Sequence, residues 1–323
     1  MTSAWDGWSR APLRAGLAIV AGLDLIGLAE RLRALPPGGA RHPLAPAWLL
    51  ALGAQPLAVD GLVAAGLVAL LLFAIGRAPL RAGGGALVLL AVLAETQAAL
   101  AGGPQRNVFA SGATLLGWLI GLGWGRGLGG AGANREDLAE AGAVATFAAT
   151  YVAAGVSKLQ ARGLGWADPL TLQDLLLAQH RVSEHGIRAH LVAAFVGSPG
   201  LCRVLALATL AIELGACLML LTPALRLALG TLLVAFHLQV WLLTGIWYAG
   251  NLRLLLLLCV PWPWPRMIRR LLARWPVPPG PPPRDPAVER RVAIAALSIL
   301  AAAIGLAALS PVRDYTFWPG RAL

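Results

Sequence analysis

Apolar runs long enough to cross a lipid bilayer recur along the whole chain, and this feature constrains the fold more than any other. A helix of about 20 apolar residues spans the hydrocarbon core of a bilayer. Hydrophobic residues make up 58% of the chain and charged residues 13%, whereas a soluble domain carries about 25% charged residues. The sequence therefore predicts an all-α fold, a polytopic membrane helix bundle of about nine transmembrane helices. The predicted spans are residues 12–30, 57–76, 84–101, 108–125, 138–160, 201–222, 224–246, 249–262 and 288–310.

A proline-rich segment, residues 263–287, predicts the orientation of the bundle. It carries four arginines close together, Arg266, Arg269, Arg270 and Arg274, and short arginine-rich loops stay on the cytoplasmic side of a membrane. With nine spans, this places the N-terminus in the cytoplasm and the chain in the inner (cytoplasmic) membrane. The other arginines are scattered among the connections, so the net charge of +11 indicates membrane topology and no nucleic-acid partner.

Three parts follow from this pattern. Residues 1–262 are predicted to form a transmembrane core, residues 263–287 the basic cytoplasmic loop, and residues 288–323 a last transmembrane helix with a short tail. Within the core, residues 169–197 mix apolar with charged side chains, which favours a position at the membrane interface or over the end of the bundle. The lipid bilayer is therefore the first predicted partner.

Lys158 is the first candidate catalytic residue because it is the only lysine among 26 basic residues. Lysine differs from arginine in that its amine can lose its charge when it is buried, which makes it a base or a nucleophile. Tyr151 lies two turns earlier on the same helix face, and Gly155 between them leaves room for a ligand or a neighbouring helix. The alternative is a lysine that extends its amine from a helix end to the membrane surface.

Other polar residues interrupt the apolar runs. His237 lies in the middle of a predicted span, with Trp241, Thr244 and Tyr248 following at helical spacing, so that one face carries a polar and aromatic stripe. Glu213 lies within another span, and hydrocarbon tolerates such an acid only when it is paired, protonated or facing a cavity. For Asp24 and Glu95, which raise the same question, we expect structural pairing with arginine.

A metal site is not predicted. His180, His185 and His190 follow one another at a spacing of five, which turns each side chain by about 140° from the last on a helix. Three imidazoles on different faces do not form a metal-binding face.

Five ordered motifs together resemble the HTTM family, the membrane domain shared with vitamin K-dependent gamma-glutamyl carboxylases. The first resembles that family's opening helix, in which an Asp is followed seven residues on by an Arg. The second is similar to its RN-containing start of a helix, and the third to its Tyr, small-residue, Lys, then Trp signature. The last two resemble its Glu helix and its His helix. The motifs are LRAGLAIVAGLDLIGLAERL with Asp24 and Arg31, QRNVFASGATLLGW (105–118), YVAAGVSKLQARGLGW (151–166), LATLAIELGACLMLLTPALR (207–226) and VAFHLQVWLLTGIWYAGNLRLLLLLCVPW (234–262).

This resemblance implies roles for several residues. Lys158 matches the lysine that deprotonates reduced vitamin K in the carboxylases, which implies a reduced, vitamin K-like quinone as cofactor. Arg106, Asn107 and Trp166 belong to the matching motifs and are implied to line the ligand site. The chain departs from the carboxylases at Val108, which follows the asparagine where they have a catalytic histidine.

The predicted function is a membrane enzyme or a peptide-maturation factor. Lys158 would act as a base on a quinone-type or peptide ligand, with Tyr151, Glu213 and His237 orienting it or relaying protons. Trp241, Thr244 and Tyr248 would contact the ligand. The activity would be that of a carboxylase-like, quinol-oxidising lyase or a peptide-modifying enzyme.

The length of the chain favours a peptide-maturation factor over a full protein carboxylase. We expect no large soluble docking region, and short bacterial members of the family include proteins that resemble the one required to mature a sporulation-delaying antimicrobial peptide. A small secreted peptide is therefore the expected partner. The alternatives are a non-catalytic membrane binding or assembly protein, in which the polar residues only fasten helices together, and a transporter, which requires a continuous polar path.

Overall fold

A computed structural model describes residues 10–35, 45–101, 109–127, 132–180 and 186–260, and the single residues 294, 298 and 301. The described part of the chain contains α-helices and two 3₁₀ helices, with no β-strand among them. This confirms the predicted all-α helix bundle. The α-helices are α1 (Arg10–Ala34), α2 (Ala47–Gly53), α3 (Pro56–Ala74), α4 (Pro79–Ala101), α5 (Phe109–Gly127), α6 (Gly132–Arg162), α7 (Pro169–His180), α8 (Ile187–Val196), α9 (Pro199–Gly215), α10 (Pro223–Thr244) and α11 (Ala249–Cys259), and the 3₁₀ helices are Gly163–Ala167 and Ala216–Leu220.

Six stretches of these helices are long and apolar enough to cross a membrane, which indicates a multi-pass membrane protein. The predicted count of nine is not confirmed. The predicted span 249–262 forms α11, an apolar helix of only 11 residues, whose length of about 16 Å falls short of the roughly 30 Å bilayer core. The predicted loop 263–287 and nearly all of the span 288–310 lie outside the described residues. The six stretches are Pro12–Ala34, Pro56–Ala74, Pro79–Ala101, Arg135–Ala167, Pro199–Leu220 and Pro223–Thr244.

The predicted span 108–125 forms α5, which is a helix of 19 residues but is not one of the six apolar stretches. Its sequence is rich in glycine, which lowers its hydropathy. One face of α5 packs against the bundle, and Leu115 and Trp118 on that face are fully buried. Leu116, Ile120 and Trp124 on the other face are exposed.

The central element of the bundle is α6. Of its most apolar stretch 72% is buried, against 22–50% for the other five candidate spans. The buried face is rich in alanine, with Ala139, Ala143, Ala145 and Ala148 all fully buried. Small side chains let neighbouring backbones approach closely where no water is present to drive association. The helices around α6 therefore pack directly against its backbone.

Glycines spaced by four on α5 make the closest of these contacts. A Cβ atom at Gly117 would lie 2.2 Å from the carbonyl oxygen of Gly142, and one at Gly121 would lie 2.0 Å from the carbonyl oxygen of Leu138. Both obstacles are backbone atoms of α6, which cannot move aside as a flexible side chain can. The packing of α5 on α6 therefore requires glycine at both positions.

Ion pairs join α6 to helices that are distant in sequence. Arg14 of α1 lies 3.0 Å from Glu136 and also donates a hydrogen bond to the carbonyl of Ala74, at 3.2 Å. Arg226 of α10 lies 2.7 Å from Glu140. A charge in an apolar environment is tolerated when it is paired in this way.

The two other carboxylates that interrupt apolar runs differ from each other. Asp24 lies 3.8 Å from Arg253 of α11, which confirms its predicted pairing with an arginine. Glu95 is exposed and has no ion-pair partner within the described ranges.

Residues 169–197 form α7 and α8, two short helices joined by residues outside the described part. Leu176, Val192 and Leu243 form a small buried cluster that packs both helices against the end of α10. Arg188 of α8 also donates a hydrogen bond to the carbonyl of Leu242, at 3.1 Å. Their position at the membrane interface stays a prediction.

The glycine contacts predict a large loss of stability for Gly121→Val. The added side chain would overlap the Leu138 carbonyl, and overpacking of this kind costs about 1–3 kcal/mol or more. Thermal unfolding in detergent measures the change. Gly123→Val on the same helix is the matched control, because a Cβ atom at Gly123 meets no atom within 4 Å; equal melting temperatures for the two variants would contradict the prediction.

Candidate functional site

Lys158 and Glu213 form an ion pair between α6 and α9. The lysine Nζ lies within hydrogen-bond distance of both carboxylate oxygens. The Glu213 side chain is 5% exposed and that of Lys158 is 23% exposed. The carboxylate is thus enclosed by protein, whereas the amine lies at a partly open edge of the bundle.

Gly155 allows α9 to approach α6 at this pair. A Cβ atom at Gly155 would lie 3.0 Å from the side chain of Leu214 and 3.3 Å from the Cβ of Glu213. The space that a larger residue would fill is therefore occupied by a neighbouring helix, one of the two outcomes predicted for this glycine. The same close approach brings the Glu213 carboxylate to Lys158, one turn further along α6.

Trp166 covers the amine of Lys158 from the end of α6. The chain turns at Gly163, whose φ of +59° is in the left-handed region that glycine adopts readily, and continues as the 3₁₀ helix Gly163–Ala167. This places Nζ 5.1 Å from the centroid of the Trp166 ring, a cation–π distance. Trp166 thus contacts the lysine itself, and its predicted role in ligand binding stays a prediction.

A second polar cluster lies on the same face of α6. The Tyr151 hydroxyl and Nε2 of His237 are 2.8 Å apart, and both residues are 4% exposed. The side-chain amide of Asn251 on α11 donates a hydrogen bond to the Tyr151 oxygen, at 3.3 Å. The Tyr248 ring packs beside His237, with centroids 5.2 Å apart. Tyr151 and His237, predicted on separate spans, are therefore hydrogen-bonded partners.

The turn after α10 brings Tyr248 and Asn251 to this cluster. Thr244 is the last residue of α10, and Gly245 ends the helix with a φ of +75°. The chain then reverses into α11, which begins at Ala249. Residues that follow His237 by more than ten positions thus return to the same level of the bundle.

The four predicted catalytic residues form two pairs rather than one cluster. Lys158 follows Tyr151 by seven residues on α6, which separates them by about 10 Å along the helix axis and keeps them on one face. Glu213 packs at Gly155, between the two. No hydrogen bond joins the Lys158–Glu213 pair to the Tyr151–His237 pair in the part of the chain that the structure describes.

Trp241 lies away from both pairs. Its side chain is 41% exposed and packs against Trp247, with ring centroids 5.5 Å apart, and under the guanidinium of Arg188, at 5.8 Å. Helical spacing placed it near His237 along the helix, but it turns towards α8. A role for Trp241 in ligand binding stays a prediction without a contact to the site.

Thr244 uses its hydroxyl at the end of α10. It donates a hydrogen bond to the carbonyl of Val240, at 2.7 Å, and accepts one from the amide of Ile246, at 3.2 Å. Both partners belong to its own backbone segment, so the hydroxyl closes the helix end. Arg106 and Asn107, the two other predicted ligand residues, lie outside the described residues.

Asn251 is the residue of this site that the sequence reading did not single out. Its signal is a lone amide at the start of the apolar run LRLLLLLC, since an amide that enters a bilayer needs a hydrogen-bond partner from the protein.

Within the described ranges no group of three or more His, Cys, Asp or Glu side chains could hold a metal ion.

A groove runs between α9 and α10, and its lining includes no member of either pair. Two of its wall residues, Ile212 and Phe236, directly precede Glu213 and His237, and the Phe236 and His237 rings are 5.2 Å apart. Thr209 is one of its polar wall residues. The groove is lined by Leu205, Ala208, Thr209, Ile212, Leu232, Ala235, Phe236 and Gln239.

The Lys158–Glu213 pair can exist in two forms of equal net charge. With the shared proton on nitrogen it is an ammonium beside a carboxylate, and with the proton on oxygen it is an amine beside a carboxylic acid. The second form supplies the uncharged nitrogen that a general base or a nucleophile requires.

Comparisons with protein-family models, curated proteins and solved structures find no match to this chain.

The Tyr151–His237 contact predicts a measurable coupling. In a double-mutant cycle with Tyr151→Phe and His237→Leu, we expect a coupling free energy of about 1 kcal/mol, the net value of one hydrogen bond. Equilibrium unfolding in mixed detergent micelles supplies the four stabilities. The control cycle pairs Tyr151→Phe with Gln239→Leu, whose amide lies in the groove, and should give no coupling; equal coupling in both cycles would rule out the specific contact.

Proposed function

We propose that this protein is an integral membrane enzyme or peptide-maturation factor in which Lys158 acts as a base on a ligand bound between helices. The observation that carries the proposal is the placement of the only lysine in the sequence. Its amine contacts the enclosed carboxylate of Glu213 and the ring of Trp166, and it remains 23% exposed. A lysine in such a place can both receive a proton from a ligand and exchange it with its partner.

Glu213 supports this role because it provides a second site for the proton. In the form with an uncharged amine, Glu213 holds the pair's own proton, and uptake of a proton from the ligand leaves an ammonium beside a carboxylic acid. The pair returns to its starting form when one proton leaves to water at the partly exposed amine. On this proposal an apolar ligand would enter from the lipid phase between α9 and α10, where Ile212 and Phe236, the residues before Glu213 and His237, line a groove. Tyr151 lies about two turns away on the same face of α6, and with its partner His237 of α10 it would contact the part of the ligand that is remote from Lys158.

The resemblance to the HTTM family supports a role for the same residues. The HTTM-like motifs of the sequence include Lys158, Tyr151, Glu213 and His237, which form two contacting pairs, each with one member on α6. On this proposal the ligand is a reduced, quinone-type compound or a small secreted peptide. The protein lies in the cytoplasmic membrane with its N-terminus inside.

A second candidate function is a non-catalytic binding or assembly protein. It is favoured by the fact that Lys158, Glu213, Tyr151 and His237 all have protein partners and that these contacts join α6 to α9 and α10. On this reading the polar residues only fasten the helices together.

Lys158 can be tested without knowing the ligand because it is the only side-chain amine in the protein. We expect a membrane-permeant N-hydroxysuccinimide ester to acylate Lys158 in the folded protein, since only an accessible, uncharged amine reacts. Glu213→Gln should increase the rate about tenfold or more, because the variant loses the charge that holds the ammonium form. Peptide mass spectrometry measures the rate.

Glu140→Gln is the matched control for this experiment. Glu140 lies on α6, as Lys158 does, but it pairs with Arg226 of α10. Its replacement should therefore leave the labelling rate of Lys158 unchanged. A Lys158 that reacts only after denaturation would contradict the proposed base and favour the assembly reading.

A charge swap separates catalysis from helix fastening. Lys158→Glu combined with Glu213→Lys keeps the ion pair but moves the amine to α9. We expect this double variant to keep a melting temperature within a few degrees of the wild type and to lose function, as Lys158→Arg should. The readout is untargeted mass spectrometry of secreted peptides and membrane-extracted compounds from a gene-deletion strain complemented with each variant.

The corresponding swap of Arg33 and Asp60, an exposed pair between α1 and α3, should preserve both stability and function. If the Lys158–Glu213 swap restores every product that the wild type restores, the pair serves only to hold α6 and α9 together and the proposed catalysis is wrong.

A further inference from the structure

The hydrogen bonds around Tyr151 have a direction that the donors and acceptors impose. An amide N–H of Asn251 can only donate, so the Tyr151 oxygen accepts at this contact. The single hydroxyl proton of Tyr151 is then free for its other neighbour, Nε2 of His237, at 2.8 Å. With Nε2 as the acceptor this proton has a partner, whereas a protonated Nε2 would leave the hydroxyl proton without one among these contacts.

The state of the His237 ring follows from this. No carboxylate forms an ion pair or hydrogen bond with His237 among the residues that the structure describes, and an imidazolium without a counter-ion is costly in an apolar environment. A neutral imidazole that accepts at one nitrogen carries its proton on the other. The ring is accordingly protonated on Nδ1.

That Nδ1 atom is buried and has no hydrogen-bond partner within the described part of the chain. The residue is 4% exposed, and the rings of Phe236 and Tyr248 lie beside it, each with its centroid 5.2 Å away. An N–H group without a partner in such surroundings is destabilising. A ligand atom that accepts this proton would recover that free energy.

We infer that Asn251 is a positioning residue that fixes His237, through Tyr151, as the tautomer protonated on Nδ1, so that the ring offers an N–H donor to a carbonyl or ether oxygen of a bound ligand. The three side chains come from α11, α6 and α10. The direction of the hydrogen bonds does not depend on the proposed function. The use of the donor to hold a ligand oxygen rests on the proposed function.

Solid-state NMR of the full-length protein in lipid bilayers, labelled with ¹⁵N-histidine, tests this directly. A protonated and an unprotonated imidazole nitrogen have well-separated shifts, and the spectrum of His237→Gln identifies the signals of His237 among the five histidines of the chain. We expect a neutral ring with Nδ1 protonated and Nε2 unprotonated. A ring protonated on Nε2, or on both nitrogens, would overturn the inference.

Asn251→Leu removes the donor that sets the direction. We expect the ratio of the two tautomers to change about fivefold or more, the effect of losing one ordinary hydrogen bond. Gln239→Leu removes an amide from a groove-lining position of α10 and should leave the ratio unchanged. An unchanged ratio in Asn251→Leu would also overturn the inference, and the wild-type spectrum decides the matter if that variant does not fold.

The same spectrum distinguishes this inference from the proposed function. The tautomer is read in the absence of any ligand or activity, whereas the role of Lys158 is read from acylation and from the products of the complemented strain. A ring protonated on Nδ1 together with an unreactive Lys158 would keep the positioning role of Asn251 and reject the base.

Discussion

Ionised side chains inside an apolar bundle must find their partners within the protein, and this requirement organises the helices around α6. Three charges on α6 pair with three different helices: Glu136 with Arg14 of α1, Glu140 with Arg226 of α10, and Lys158 with Glu213 of α9. Each pair leaves little net charge in the apolar region, where a lone charge costs several kcal/mol. The alanine-rich surface of α6 then lets the paired helices pack closely enough for these contacts to form.

The three pairs of α6 are alike in their electrostatics and unlike in their chemistry. Two of them join a carboxylate to arginine, which keeps its proton under all ordinary conditions. Only the Lys158–Glu213 pair can transfer the proton between its members, and an aromatic ring also covers its amine. The proposed function depends on this difference, since fastening two helices does not by itself require lysine.

The sequence predicted the polar residues of the site better than the contacts among them. Composition and apolar runs are sufficient for the helix bundle, and the rarity of lysine and of acids inside apolar runs identifies Lys158 and Glu213. Spacing along one helix says nothing of which neighbour lies opposite, so Trp241 follows the His237 stripe and yet turns to Arg188. Asn251 reaches Tyr151 only because the chain reverses at Gly245. The predicted count of nine spans is not confirmed, because α11 has only 11 residues and the glycine-rich α5 is not one of the six apolar stretches.

The sequence separation within the ion pairs has a consequence for biosynthesis. Lys158 precedes Glu213 by 55 residues, and Glu140 precedes Arg226 by 86. At about 5–20 residues per second, α6 is complete roughly several seconds before the ribosome has made α9 and α10. These two helices carry Glu213 and Arg226, the partners of Lys158 and Glu140. During this interval Lys158 has no counter-ion from α9, so the nascent α6 must wait beside the insertion machinery or keep its amine at the water boundary. In the first case, the release of α6 into lipid is tied to the arrival of α9.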